Sequence, residues 1–212
     1  MIIAVDGPAA SGKGTIARAL ARHYGLPNMD TGLLYRAVAA TVRQMALDPT
    51  IEADAVAACD FDEELLADPI LRDDETGQMA SIVSAHPLVR ASLLQRQRRF
   101  AAQPGGAVLD GRDIGTLIAP DADAKLFVRA TPQIRARRRH AELQANGSVL
   151  SFDKVLADIR ARDLRDSGRA SAPLVQAVDA ATLDTSFLSI EASIQRAIEI
   201  VTEQTGQKFV TD

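Results

Sequence analysis

The sequence predicts an α/β fold, a parallel sheet wound on both sides by helices, and three observations predict it. Apolar runs of four or five residues recur along the chain, each long enough for a buried parallel strand and too short for a helix. Between them lie stretches with apolar residues at helical spacing. A glycine-rich turn joins the first run to the first such stretch, at the place where open α/β sheets bind their ligands. The 212 residues, 47% hydrophobic and 25% charged, suffice for one self-supporting core with small appendages.

Ile2 to Asp6 is the first strand, and Ile16, Ala19, Leu20 and Tyr24 mark a helix that Gly25-Leu26-Pro27 ends. Leu33 to Ala46 reads as a second helix, with capping oxygens from Asp30-Thr31-Gly32. Residues 47–75 are acidic and predict short helices with turns at Pro49 and Pro69; within residues 56–79 there is room for two, Phe61 to Leu66 and around Ile70. Ala80 to Phe100 is helical in two pieces, restarted at Pro87. Ala107 to Asp110 and Lys125 to Val128 are the second and third strands. Thr131-Pro132 opens an arginine-rich helix to about Gln144; after a turn at Asn146-Gly147-Ser148, Phe152 to about Leu164 forms another. Ala180 to Asp184 is the last strand, and Ser189 caps a terminal helix to about Gln204 whose inner face is read as Ile190, Ile194, Ile198 and Val201.

Charge narrows the function classes. The net charge is −4 and the isoelectric point near 5.4, which argues against a bulk polyanion binder. Residues 129–169 nevertheless carry +5 and the remainder −9, and arginine outnumbers lysine 20 to 4. A GC-rich genome and a need for bidentate phosphate contacts both account for that bias. Cys59 alone permits no intrachain disulfide, and no run is long enough for a membrane span, so a cytoplasmic protein is expected. His23, His86 and His140 are scattered and predict no zinc site.

Gly7-Pro8-Ala9-Ala10-Ser11-Gly12-Lys13 fits the G-x-x-x-x-G-K loop that wraps nucleotide phosphates. Its glycines let backbone N–H groups turn inward, Lys13 adds a cation for the β- and γ-phosphates, and the next helix offers its positive end. Residues Gly7 to Thr15 are therefore the expected ATP-binding loop of a P-loop NTPase-type domain. Gly14 stands where most such loops carry a magnesium-binding Ser or Thr, and the hydroxyl comes one place later, at Thr15. That ending resembles the nucleoside monophosphate kinases.

Four further segments resemble the bacterial cytidylate kinases: Asp30-Thr31-Gly32 with Tyr35-Arg36; Pro87 to Arg90; Asp110-Gly111-Arg112-Asp113-Ile114-Gly115-Thr116; and Arg162-Asp163-Leu164-Arg165-Asp166 with Arg169. With Ala172-Pro173-Leu174 and Leu183-Asp184 the resemblance spans roughly residues 2–190. It implies transfer of the γ-phosphate of ATP to CMP and dCMP with Mg2+, in a monomer. By the resemblance, Arg36, Arg112 and Arg169 converge on the acceptor phosphate, and Thr31 belongs to the same CMP-binding set. Ser81, Arg90 and Asp113 match the cytosine-binding positions, and Tyr35, Arg162 and Asp166 those that hold the sugar. Lys13, Arg112 and Arg169 are the expected catalytic cations. A dianionic acceptor approaching ATP does require fixed positive charge, and cytosine requires an acceptor for its N4 amino group with a donor for N3 and O2.

Asp110 ends its strand as a candidate magnesium carboxylate acting through water, together with Thr15; fixing the loop by hydrogen bonds is the equal alternative. Residues 135–168 are read as a mobile lid carrying Arg135, Arg138 and Arg139, with a solvated face paired to Glu142 as the competing explanation of those arginines. The core is then 1–46, 87–134 and 170–212, and 47–86 is a shortened acceptor-binding region, because residues 56–79 leave no room for the small sheet that many cytidylate kinases carry. Alternatives of other kinds are a UMP, AMP or non-nucleotide acceptor on the same fold, and a non-catalytic nucleotide-binding module; nucleic-acid partners are not expected.

Overall fold

The computed structural model describes residues 1–145 and 147–206, so Asn146 of the predicted turn and the last six residues of the predicted core lie outside the described residues. Five parallel strands form one sheet in the order β2-β3-β1-β4-β5: β1 Ile2–Asp6, β2 Asn28–Asp30, β3 Ala107–Gly111, β4 Ala124–Arg129 and β5 Ala181–Asp184. The helices are α1 Lys13–Tyr24, α2 Thr31–Gln44, α3 Glu52–Ala57, α4 Asp74–Val83, α5 Pro87–Ala101, α6 Pro132–Ala145, α7 Phe152–Gly168 and α8 Ile190–Thr205. Two 3-10 turns, Glu63–Ala67 and Pro69–Arg72, fill the acidic stretch.

Alternation along the strands sorts side chains to the two faces of the sheet. Ile3 and Val5 pack with Val108, Leu126, Val128 and Leu183 against Ile16 and Leu20 of α1 and Val201 of α8. Ala4 and Leu109 face the other way, toward Ala101, Ile114 and Ile118. A separate cluster, including Leu34, Val38, Val42, Leu71, Val83, Val89 and Leu93, holds α2 to α5 together. Only Ala136, Leu143, Val155 and Ile159 are buried in the cluster between α6 and α7, where Ala9 and Ala10 of the glycine-rich loop also pack.

Four details depart from the sequence expectation. β2 is a strand of three half-buried residues with no apolar run, paired with β3 from Asn28–Val108 to Asp30–Asp110. α4 starts at Asp74, earlier than expected, through a polar first turn and Gly77. Ile114–Ile118 is a π-helical turn, not a loop. The inner face of α8 is Ser193, Ala197, Ile200 and Val201, while Ile190 is exposed. The expected turns at Pro49 and Pro69, the proline openings of α5 and α6 and the Ser189 cap, whose Oγ accepts from Ala192 N at 3.1 Å, are all present.

Candidate active site

The strand register brings Asp6, Asp30 and Asp110 to the carboxyl edge of the sheet, with Asp6 opposite Gly111 and Asp30 opposite Asp110. A cleft of about 1000 Å³ opens above that edge, bounded by the glycine-rich loop, α2, α4, α6 and α7. Such a cleft at the carboxyl ends of parallel strands is where an α/β fold binds its ligand.

The loop from Gly7 to Thr15 approaches the sheet so closely that a Cβ on Gly7 would lie 2.1 Å from the Val128 carbonyl oxygen. Gly12 has φ +93°, a left-handed conformation, and its carbonyl accepts from Thr15 N and Ile16 N at 3.1 Å, starting α1. Ala10, with φ +57°, is a non-glycine residue held in the left-handed region, so the loop carries strain near its tip. Pro8 and Ala9 complete the curl, and the Ser11 Oγ is buried without a hydrogen-bond partner. Lys13, in the first turn of α1, lines the cleft; burial first and Arg112 second lower its ammonium to about 8.

Asp110 stands beside this loop. Burial and the neighbouring Asp30 push its carboxyl up to about 7, and Oδ1 is buried with no hydrogen-bond partner. Among the described residues no hydrogen bond ties this oxygen to the loop. A Cβ on Gly14 would lie 3.6 Å from Asp110 Oδ2. Thr15 is exposed on the following position, and its Oγ1 accepts from Arg18 Nη2 at 3.5 Å. Among the described residues no group of three His, Cys, Asp or Glu could hold a metal by itself. An orphaned carboxylate oxygen beside a phosphate loop fits a magnesium ion that keeps phosphate oxygens and waters as its other ligands.

The opposite wall carries arginines. Arg112 Nε donates to Asp166 Oδ2 at 2.8 Å, and Arg169 Nη2 donates to Asp166 Oδ1 and to Ser84 Oγ, the latter at 3.0 Å. Asp166 is buried, which opposes its charge, yet Arg112, Arg169 and Arg162 hold its carboxyl below the usual range. Burial, then Arg112, pushes Arg162 down to about 9. The Nε atoms of Arg162 and Arg169 are buried donors without partners. Residues 162 and 166 fall on one face of α7, at i and i+4, and Arg169 follows the helix as its extended C-cap. Arg36 lines the same cleft from α2, anchored by Nη1 to the carbonyls of Leu71 at 2.6 Å and Asp73 at 3.1 Å. Thr31 is buried and gives its hydroxyl to the Asp110 carbonyl at 2.9 Å.

At the far end Arg90 and Asp113 form an ion pair at 2.5 Å, both side chains buried, with Arg90 Nη1 on the Ser84 carbonyl at 3.3 Å. The Arg90 guanidinium lies 5.3 Å from the centroid of the Tyr35 ring, and Arg90 Nε has no partner. Ser81 Oγ accepts from Arg165 Nε at 3.2 Å. The sequence reading did not single out Arg165, although it stands inside the quoted α7 motif; nor did it find Ser84, whose only signal is its place at the end of α4.

The three arginines assigned to the lid, all on α6, part company. Arg135 is buried, with a bidentate pair to Asp163 at 2.6 and 2.9 Å and contacts to the carbonyls of Ala130 at 2.9 Å and Ala9 at 3.2 Å. Arg138 donates to Ser11 O at 3.3 Å and to Thr185 Oγ1 and O at 3.0 and 2.6 Å. Arg139 pairs with Asp74 at 2.8 Å and Glu142 at 3.0 Å, tying α6 to α4.

A family model described as cytidylate kinase matches residues 3–203. This chain belongs to the cytidylate kinase family. The cytidylate kinase of Xanthobacter autotrophicus is 58% identical over 95% of this chain and 97% of that protein. That of Rhodopseudomonas palustris strain HaA2 is 54% identical over 95% of each. A crystal structure of an uncharacterized protein from Eubacterium ventriosum superposes with TM-score 0.55 at 14% identity, covering 96% of this chain and 98% of that one, which is a likeness of fold.

Proposed function

We propose that this cytidylate kinase family member transfers the γ-phosphoryl group of ATP to CMP and dCMP, giving ADP with CDP or dCDP. The observation that supports it best is the imbalance of charge opposite the phosphate loop. Arg112, Arg162 and Arg169 share the carboxylate of Asp166, with Arg36 on the adjoining wall, so the cleft holds a surplus of buried cations facing a second anion site. A dianionic monophosphate in the cleft would balance that charge. A module that merely bound ATP would gain nothing from such a site.

In this reading the loop amides and Lys13 bind the ATP phosphates, and Arg112 and Arg169 draw the acceptor phosphate into line and neutralise the repulsion between the two anions. Lys13 stays protonated once phosphates surround it, because their charge reverses the depression caused by burial. No general base is needed, since the attacking phosphate oxygen is already ionised near neutral pH. Asp110 would hold Mg2+ through water, and the ion would supply further neutralisation of the β- and γ-phosphates. Arg90 and Asp113 present a donor and an acceptor to the cytosine edge, and Tyr35 and Asp166 hold the sugar. Residues 1–46, 87–134 and 170–206 act as the core, 47–86 as the acceptor region and 135–168 as a lid that excludes water; the small apolar cluster of α6 and α7 supports the lid, whereas the cluster of 47–86 is continuous with α2 and α5. No helix among the described residues is long and apolar enough to cross a membrane.

An ADP-release assay with Mg-ATP and CMP, dCMP, UMP, AMP or GMP as acceptor tests the proposal, with Lys13→Ala as control. Turnover is expected on CMP and dCMP and at least tenfold less on the others. Comparable turnover on UMP would refute the base reading, and no acceptor-stimulated turnover would refute the kinase.

A further inference from the structure

The last residue of β1, Asp6, is buried, and both of its carboxylate oxygens are used far along the chain. Oδ1 accepts from Ile114 N at 2.9 Å and Oδ2 from Gly115 N at 2.8 Å. These amides open the π-helical turn Ile114–Ile118, and the first amides of any helical turn lack partners within it. Asp113 occupies the cap position, where an aspartate ordinarily satisfies them itself. Here it makes no side-chain cap, because its carboxylate is turned to Arg90 at 2.5 Å. Its carbonyl still accepts from Leu117 N at 2.9 Å, so the turn is wound directly onto the residue that holds Arg90.

We propose that Asp6 is a positioning residue for the acceptor site, capping the turn from β1 so that the Asp113 carboxylate is left free to orient Arg90. The capping duty and the site duty, both open to Asp113, are thereby divided between two carboxylates. Gly115 packs close to the cap: a Cβ there would lie 3.4 Å from Asp6 Oδ2 and 3.2 Å from Lys125 Cδ, so one of these neighbours would have to shift by a few tenths of an ångström. Since Asp6 directly precedes Gly7, the same residue joins the strand entering the phosphate loop to the loop carrying Arg112 and Asp113. The inference rests on the reading that Arg90 and Asp113 meet the base, and its test separates the two.

Asp6→Asn turns one acceptor into a donor facing a backbone N–H, which costs a charge-assisted hydrogen bond and adds a repulsion. Steady-state kinetics well below the melting temperature should show KM for CMP raised about tenfold and the CMP-over-UMP preference narrowed, with KM for ATP within about twofold. Gly115→Ala, which keeps the charge and crowds the cap, should move KM for CMP in the same direction by about threefold, and it decides the matter if Asp6→Asn does not fold. An unchanged KM for CMP, an equal rise in KM for ATP, or a fall in kcat alone would each overturn the proposal; the last is the mark of a structural role only. Asp113→Asn tests the base reading independently: an unchanged CMP-over-UMP preference there refutes that reading, while KM for CMP in Asp6→Asn still decides the role of Asp6.

Discussion

Asp110 occupies a position where burial and Asp30 both oppose its negative charge, and no described residue donates to Oδ1. A carboxylate so placed is kept for a ligand and weakens the fold that carries it. The sign follows from proton linkage. Its folded-state carboxyl titrates at about 7, above its usual 3.8, so the native state binds the proton more tightly than the unfolded chain. The penalty of ionisation therefore grows as pH rises from about 4 to 7 and levels off above. Asp110→Asn should melt several degrees above the parent at pH 8 without metal, a gap that narrows toward pH 5, while turnover with Mg-ATP and CMP falls about 100-fold or more. Scanning calorimetry at the two pH values and the ADP-release assay check both halves. Equal melting at pH 8, or undiminished turnover, would contradict this account of Asp110.

At the scale of the element, α6 shows why helical spacing alone does not assign function. Arg135, Arg138 and Arg139 are close in sequence, yet Arg135 is a buried rivet between the Asp163 carboxylate and the backbone of the phosphate loop, while Arg138 reaches from the helix to Ser11 and Thr185. Arg135→Met should destabilise the protein by about 2–3 kcal/mol, because it strands Asp163 and two carbonyls. Arg138→Met should leave the melting temperature within about 2 °C and raise KM for ATP about tenfold, with KM for CMP unchanged. Denaturant unfolding and kinetics on the two variants separate the roles, and equal loss of stability in both would remove the distinction. The same contrast explains what could be read in advance. Strands β1, β3, β4 and β5 were legible because each is an apolar run between turn residues; β2 was not, since Asn28-Met29-Asp30 is held by pairing to β3 and offers no pattern of its own. The arginines and carboxylates of the wall opposite the loop were named through the resemblance of their motifs to the cytidylate kinases. Their distant partners were not: the pairing of Arg112 with Asp166 and the amides that Asp6 caps depend on contacts between residues 54 to 109 positions apart.

For the molecule as a whole the informative quantity is where the positive charge lies. The net charge is −4, yet the arginines around Asp166 are withdrawn from solvent into the cleft, and burial together with mutual repulsion depresses Arg162 to about 9. Folding thus compresses like charges that only an anion can relieve, and binding free energy at that site returns as stability by mass action. CMP at 100 times its dissociation constant should stabilise the protein by about 2.7 kcal/mol, a rise in melting temperature on the order of 5–10 °C for a chain of this size. Cytidine at the same concentration, lacking the phosphate, should give under about 2 °C. Raising the salt to about 0.5 M should reduce the CMP shift only modestly, because screening weakens buried charges far less than those on the surface. A shift equal for CMP and cytidine, or one abolished by that salt, would mean that the acceptor phosphate is not held by this buried cluster, and the reading of the arginine wall as the second anion site would fall with it.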